Sequence, residues 1–169
     1  MQKRQLPIEI NILRLAEQRA SLTGTFLVKD MPRVGPMLAN LEGQANFTLE
    51  FGIDVTKRRF IQGQVSAVMN VICQRCLKNM PCIVEDVFLL SPVSSEQDEE
   101  SLPENYEPIL VVGEEQPLMD IIEDELILRI PLVVTHRPNE CSIEQTKYEF
   151  CPPQEKNNPF SMLVELKKE

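Results

Sequence analysis

Two alternating stretches joined by a short polar link constrain this chain more than any other feature. Along Ala45–Val55, residues Ala45, Phe47, Leu49, Phe51, Ile53 and Val55 are apolar, with Asn46, Thr48, Glu50 and Asp54 between them. Along Phe60–Ile72 the alternation resumes through Ile61, Val65, Ala67, Met69 and Val71. A period of two puts every second side chain on one face, so each stretch predicts a strand with one buried face. The intervening Thr56-Lys57-Arg58-Arg59 is too short for anything but a turn, so the pair predicts a hairpin with three adjacent cations at its tip.

Other elements arrange themselves around that hairpin. Within residues 8–20 the second half predicts a helix, with Ile12, Leu15, Ala16 and Arg19 at helical spacing. Ser21–Lys29 predicts a short strand, followed by a Pro- and Gly-interrupted loop over Asp30–Pro36. Pro81–Leu90 predicts a further strand, and its apolar run Val87–Leu90 suggests burial on both faces. Ser94–Asn105 reads as a polar acidic loop and Pro108–Val112 as an edge strand. Pro117–Ile130 predicts a helix opened by Pro117 and ended by Pro131, with Leu118, Ile121, Ile122 and Leu126 on its buried face. Pro138–Pro159 reads as loop, and Asn158–Lys168 as a short closing helix carrying Phe160, Leu163, Val164 and Leu166. The expected fold is therefore α+β: an antiparallel β-meander with an N-terminal helix, a helix after the strands and a short C-terminal helix. The 169 residues suit one domain spanning 1–169.

The net charge of −9 conceals a strong asymmetry. Residues 91–125 hold 12 carboxylates, among them Glu96, Glu107, Glu114, Glu115, Glu123 and Glu125, and no Lys or Arg. Residues 1–90 hold 11 basic and 8 acidic residues, a balance of +3. The simple expectation is that the acids solvate a loop and a helix face. No apolar run reaches the roughly 18 residues that a membrane span needs, because Leu126–Val134 is interrupted by Arg129 and Pro131. The opening residues carry Lys3 and Arg4 without a following apolar stretch, so no secretory signal is expected and the thiols should meet a reducing, cytoplasmic environment.

Five cysteines, an odd number, suit metal ligation or free thiols better than a closed disulfide framework. Cys73-Gln74-Arg75-Cys76 lies between two predicted strands, where a C-x-x-C knuckle can present two thiolates to a tetrahedral metal. The remaining ligands would come from Cys82, His136, Cys141 or Cys151, with His136 and Cys141 the preferred pair. Zinc is the expected cofactor if the site is loaded, and none if the cysteines are reduced, partly buried hydrophobes. A thiol–disulfide pair is the third reading and would require a Cys73 pKa well below 8.5.

His136 is the only histidine, and no nucleophile and orienting partner can be assembled around it. Gly-rich phosphate loops and hydrolase or metalloprotease motifs are absent from the sequence, so an enzyme is not expected. Lys57, Arg58 and Arg59 are the candidate phosphate contacts, extended by Arg75 and Lys78 if those share their face.

Several segments in order resemble the YceD family of bacterial large ribosomal RNA subunit accumulation proteins. They are Met1-Gln2-Lys3 with Leu6-Pro7, Cys73-Gln74-Arg75-Cys76, Ser91-Pro92-Val93, Leu102-Pro103-Glu104-x-Tyr106-Glu107-Pro108-Ile109, Glu123-Asp124-Glu125-Leu126-Ile127-Leu128, Pro131-Leu132-Val133, His136, Cys141 and Asn158-Pro159-Phe160-x-x-Leu163-x-x-Leu166-Lys167. The resemblance covers essentially the whole chain. It implies a cytoplasmic, non-enzymatic factor for accumulation of 23S ribosomal RNA, with precursor 23S RNA or an assembling large-subunit particle as partner. Some branches of that family carry a second C-x-x-C-like pair, which this sequence lacks. The alternative expectation is an acidic module that captures a basic ribosomal protein without touching RNA.

Overall fold

The computed structural model of the protein describes residues 6–137 and 139–141. The chain runs β1 (Glu9–Ile10), α1 (Ile12–Gln18), β2 (Ser21–Leu27), β3 (Gln44–Ile53), β4 (Arg59–Ile72), β5 (Asn79–Val93), α2 (Glu96–Glu100), β6 (Glu107–Leu110), β7 (Gln116–Pro117) and α3 (Leu118–Arg129). Two 3-10 turns, Val28–Asp30 and Gly35–Met37, lie in the β2–β3 connection. Strands β2 to β6 form one sheet in chain order, and β1 pairs with β7 in a separate two-stranded ribbon. The expected α+β class is what the structure has. Its meander is antiparallel from β2 to β5, whereas β6 returns parallel to the end of β5.

The alternating pattern does what its period requires. Ala45, Phe47, Leu49 and Phe51 of β3 face the core with Ile61, Val65, Ala67, Met69 and Val71 of β4. Helix α1 covers β3 and β4 with Ile12 and Ala16, and α3 covers β4 and β5 with Leu118, Ile121, Ile122 and Leu126. The other sheet face stays open to water, the usual arrangement of antiparallel sheets with alternating strands. Asn11 opens α1 by accepting a hydrogen bond from the Arg14 N–H at 2.8 Å. Gly63 lets the Phe88 ring lie directly over β4, since a Cβ there would fall inside the ring.

Four expectations need correction. Val55 belongs to the turn, not the strand, and is fully exposed. Strand β5 is buried on one face only: it alternates like its neighbours, with Phe88 and Leu90 inside and Val87 outside. The loop over Ser94–Asn105 contains a short helix, α2, capped by the Ser95 side chain. The acids are not uniformly solvated, because Glu123 and Glu125 of α3 are buried. The expected closing helix over Asn158–Lys168 lies outside the described residues.

The register fixes which loops share an end of the sheet. Ile61 pairs with Leu90 and Ile72 with Asn79. The β4–β5 turn therefore lies at one end, and the β3–β4 turn lies at the other with α2. At about 3.3 Å per residue, the 14 residues of β4 hold these ends roughly 45 Å apart.

Candidate metal centre and the cationic turns

The β4–β5 connection is a tight knuckle. The Cys73 N–H donates to the Lys78 carbonyl and the Leu77 N–H to the Cys73 carbonyl, at 2.9 and 2.8 Å. Closing it needs a left-handed residue, and Leu77 takes that conformation with φ +58°. A side chain with a Cβ costs roughly 1 kcal/mol or more there, and Leu77 is nevertheless 75% exposed.

The segment after α3 returns to this knuckle and is clamped to it. The Gln74 N–H donates to the Val134 carbonyl, and Gln74 Nε2 to the Leu132 carbonyl, both at 2.8 Å. Arg75 Nη2 donates to the His136 carbonyl at 2.8 Å and Arg75 Nε to Cys141 Sγ at 3.0 Å. His136 joins the knuckle twice: its N–H donates to Cys73 Sγ at 3.4 Å, and its Nδ1 lies 3.3 Å from Cys76 Sγ.

These contacts bring Cys73, Cys76, His136 and Cys141 together, with one donor atom from each within 4.8 Å of all the others. The sequence separation is 60 residues between Cys76 and His136. Three thiolates and an imidazole form a set that soft, tetrahedral zinc accepts, and four protein donors leave no open coordination position. Cys82 stands apart in the core, where burial raises its thiol pKa. Cys151 lies outside the described residues.

Electrostatics at the site favour ligation. Burial acts to raise the Cys73 pKa, but backbone N–H groups of Cys76, His136 and Arg75 outweigh it and bring the thiol from 9.0 down to about 5. His136 is raised, first by its hydrogen bond to Cys73 and then, against desolvation, by Cys76. A low thiol pKa also meets the condition set for a redox pair. Cys73, however, is wholly buried, and a thiol nucleophile needs access. Arg75 places its positive charge against Cys141 and the returning segment, a role that the sequence did not reveal.

The cationic residues separate. Lys57, Arg58 and Arg59 lie at the end of the sheet opposite Arg75 and Lys78, so the five do not make one patch. Around Lys57, the Asp54 carboxylate accepts from the Thr56 and Arg58 N–H groups at 2.8 Å and from the Tyr106 hydroxyl at 2.9 Å. Tyr106 thereby fastens the acidic segment to this turn. Arg59 pairs with Glu17 at 2.9 Å. Lys78 is exposed and forms no ion pair among the described residues.

Comparison with known proteins decides the family. The profile of the large ribosomal RNA subunit accumulation protein YceD matches residues 61–167. A curated relative of that description from Haemophilus influenzae is 33% identical over 172 residues, covering 99% of both chains. The chain belongs to the YceD family. All four donors of the Cys3His group lie within the stretch matched by the YceD profile, and Lys57–Arg59 precede it. No solved structure matches the chain. Among the described residues no helix is long and apolar enough to cross a membrane.

Proposed function

We propose that this protein is a non-catalytic cytoplasmic factor for accumulation of large-subunit ribosomal RNA, acting by direct contact with precursor 23S RNA or an assembling large-subunit particle. The observation that carries this reading is the end-to-end match to a relative described as a large ribosomal RNA subunit accumulation protein. Cys73, Cys76, His136 and Cys141 would hold a structural zinc. When bound, the metal would supply cross-linking rather than reaction chemistry, because its coordination shell is filled by protein. The chain's own part is to present thiolates at a knuckle and to bring the segment after α3 back to the sheet, fixing the surface at that end.

Crosslinking tests the function. The tagged full-length protein is isolated from growing cells at low salt, and its crosslinked RNA is sequenced. Enrichment of precursor 23S over mature 23S and 16S RNA is the expected result. Recovery of ribosomal proteins without crosslinked RNA overturns direct contact. It would favour a second reading, capture of a basic ribosomal protein by the acidic segment, which the attachment of Tyr106 to the Lys57 turn supports by placing carboxylates beside those cations. For the metal, anaerobic purification should give about one zinc per chain, lost with stability in Cys73→Ser; a folded, metal-free parent refutes the zinc reading.

A further inference from the structure

The knuckle carries a feature that the metal does not require. Leu77 adopts a left-handed backbone that glycine would adopt without strain, and it extends most of its side chain into water. Neither local conformation nor core packing accounts for a leucine here. Strained, exposed side chains held by a rigid surround are a recurring property of binding sites. On the segment clamped to the same knuckle, Leu132 and Val133 are likewise exposed, Leu132 at 94%. Lys78 follows Leu77 directly, and Arg137 follows the ligand His136; both are exposed and free of ion pairs among the described residues. Glu140 is the one acid on the described part of that segment. The clamp from Gln74 to Leu132 and Val134 brings these two pieces side by side.

The opposite end of the sheet, where Val55 is also exposed, differs in its charge. There α2 contributes Asp98, Glu99 and Glu100, and the Lys57 turn is engaged by Asp54 and Tyr106. Among the described residues, carboxylates therefore gather at the end with the β3–β4 turn, beside its cations. Exposed aliphatic side chains coincide with unpaired cations at the knuckle end.

We propose that Leu77, Lys78, Leu132, Val133 and Arg137 form a docking surface for unpaired RNA. This rests on the RNA-contact reading above and names the surface that would carry it. The occupant follows from the chemistry. Phosphates suit Lys78 and Arg137, and an aliphatic tip gains only from a base that is not stacked within a helix. An A-form duplex offers phosphates and hydroxyls to its reader but no free base face for Leu77. A basic protein would be repelled here and attracted to the other end.

The test uses the full-length, zinc-loaded protein and two fluorescent probes: a 20-nucleotide unstructured RNA and the blunt duplex of the same sequence. Anisotropy titrations across salt concentrations compare the parent with Leu77→Gly, Lys78→Ala/Arg137→Ala and Lys57→Ala. Leu77→Gly relieves the positive φ, so fold and zinc content are retained and are checked by thermal melting and metal analysis. The parent should bind the single strand more tightly than the duplex. Leu77→Gly should weaken single-strand binding about five- to tenfold, as expected for losing the partial burial of one leucine side chain against a base, with the salt slope unchanged. Lys78→Ala/Arg137→Ala should lower that slope by about 1.4, at about 0.7 per phosphate contact. Parental affinity in both knuckle variants, or a loss confined to Lys57→Ala, overturns the proposed surface while leaving RNA contact intact. A parent that binds neither probe nor crosslinks RNA in cells overturns RNA contact itself, and this surface with it.

Discussion

Replacing Glu125 by Gln isolates a charge that the fold holds at a cost. Glu125 is only 4% exposed, and its Oε2 has no hydrogen-bond partner among the described residues. Burial, then the nearby Glu107 of β6 and Asp86 of β5, raises its carboxyl from 4.5 to about 7, against the opposing pull of Arg129. The sign follows from proton linkage. Between pH 4.5 and 7 the folded state binds the proton more than the unfolded chain does, so stability falls as pH rises through that window and levels off above about pH 8. At 1.36 kcal/mol per pH unit, the full gap sets a ceiling of about 3 kcal/mol. Arg129, which shares the site, is half exposed and pairs with Asp86, so water reaches the cluster and about 2 kcal/mol is the expected effect. Glu125→Gln keeps the shape and removes the charge. Urea denaturation of the protein at pH 5.5, 6.5, 7.5 and 8.5 gives the stability difference between variant and parent. Metal loss at low pH affects both proteins and cancels in that difference. Part of the effect is already present at pH 5.5, so the variant's advantage should grow by about 1 kcal/mol from the lowest to the highest pH. A difference that stays flat across the series refutes the assignment of a buried, charge-repelled carboxyl.

Three further outcomes follow from individual contacts. Glu123 Oε1 accepts from the Arg33 and Val34 N–H groups at 2.8 and 3.0 Å, so Glu123→Ala orphans two donors and should cost about 3 kcal/mol or more in chemical denaturation. Arg75→Gln removes the guanidinium that holds Cys141 and should weaken zinc about 10- to 100-fold in chelator competition, with Arg75→Lys intermediate. Gly63→Ala should lose about 1–3 kcal/mol of stability through overpacking. Since the added Cβ meets the Phe88 ring, Phe88→Leu should recover part of that loss in the double variant.

The strands were legible because their information is local. In β3 and β4 every inward position is apolar, and the period of two survives any detail of packing. In α3 the four expected core residues are buried, but so are Glu123 and Glu125. Nothing within the helix marks those two acids. Glu123 is buried because the Arg33–Val34 backbone, about 90 residues earlier, needs an acceptor. Glu125 is buried where α3 packs on β5, close to Asp86 of β5 and Glu107 of β6. Val87–Leu90 misled in the opposite direction: four apolar residues in a row suggest two buried faces, yet only Phe88 and Leu90 meet the core.

The Cys3His group shows the same division. The C-x-x-C spacing by itself determined a knuckle with two sulfurs, because two residues between cysteines bring both to one side of a bend. That His136 and Cys141, and not Cys82, stand beside the knuckle follows from the clamp from Gln74 and Arg75 to the returning segment. Hydrogen bonds between residues about 60 positions apart leave no periodic trace in a sequence. The order of charges determined that charge would be uneven along the chain. Only the register of β4 on β5 decided that Lys57–Arg59 would stand with the acidic segment and Lys78 with the Cys3His group. Charge is written residue by residue, but a field is a sum over distances, and the distances belong to the fold.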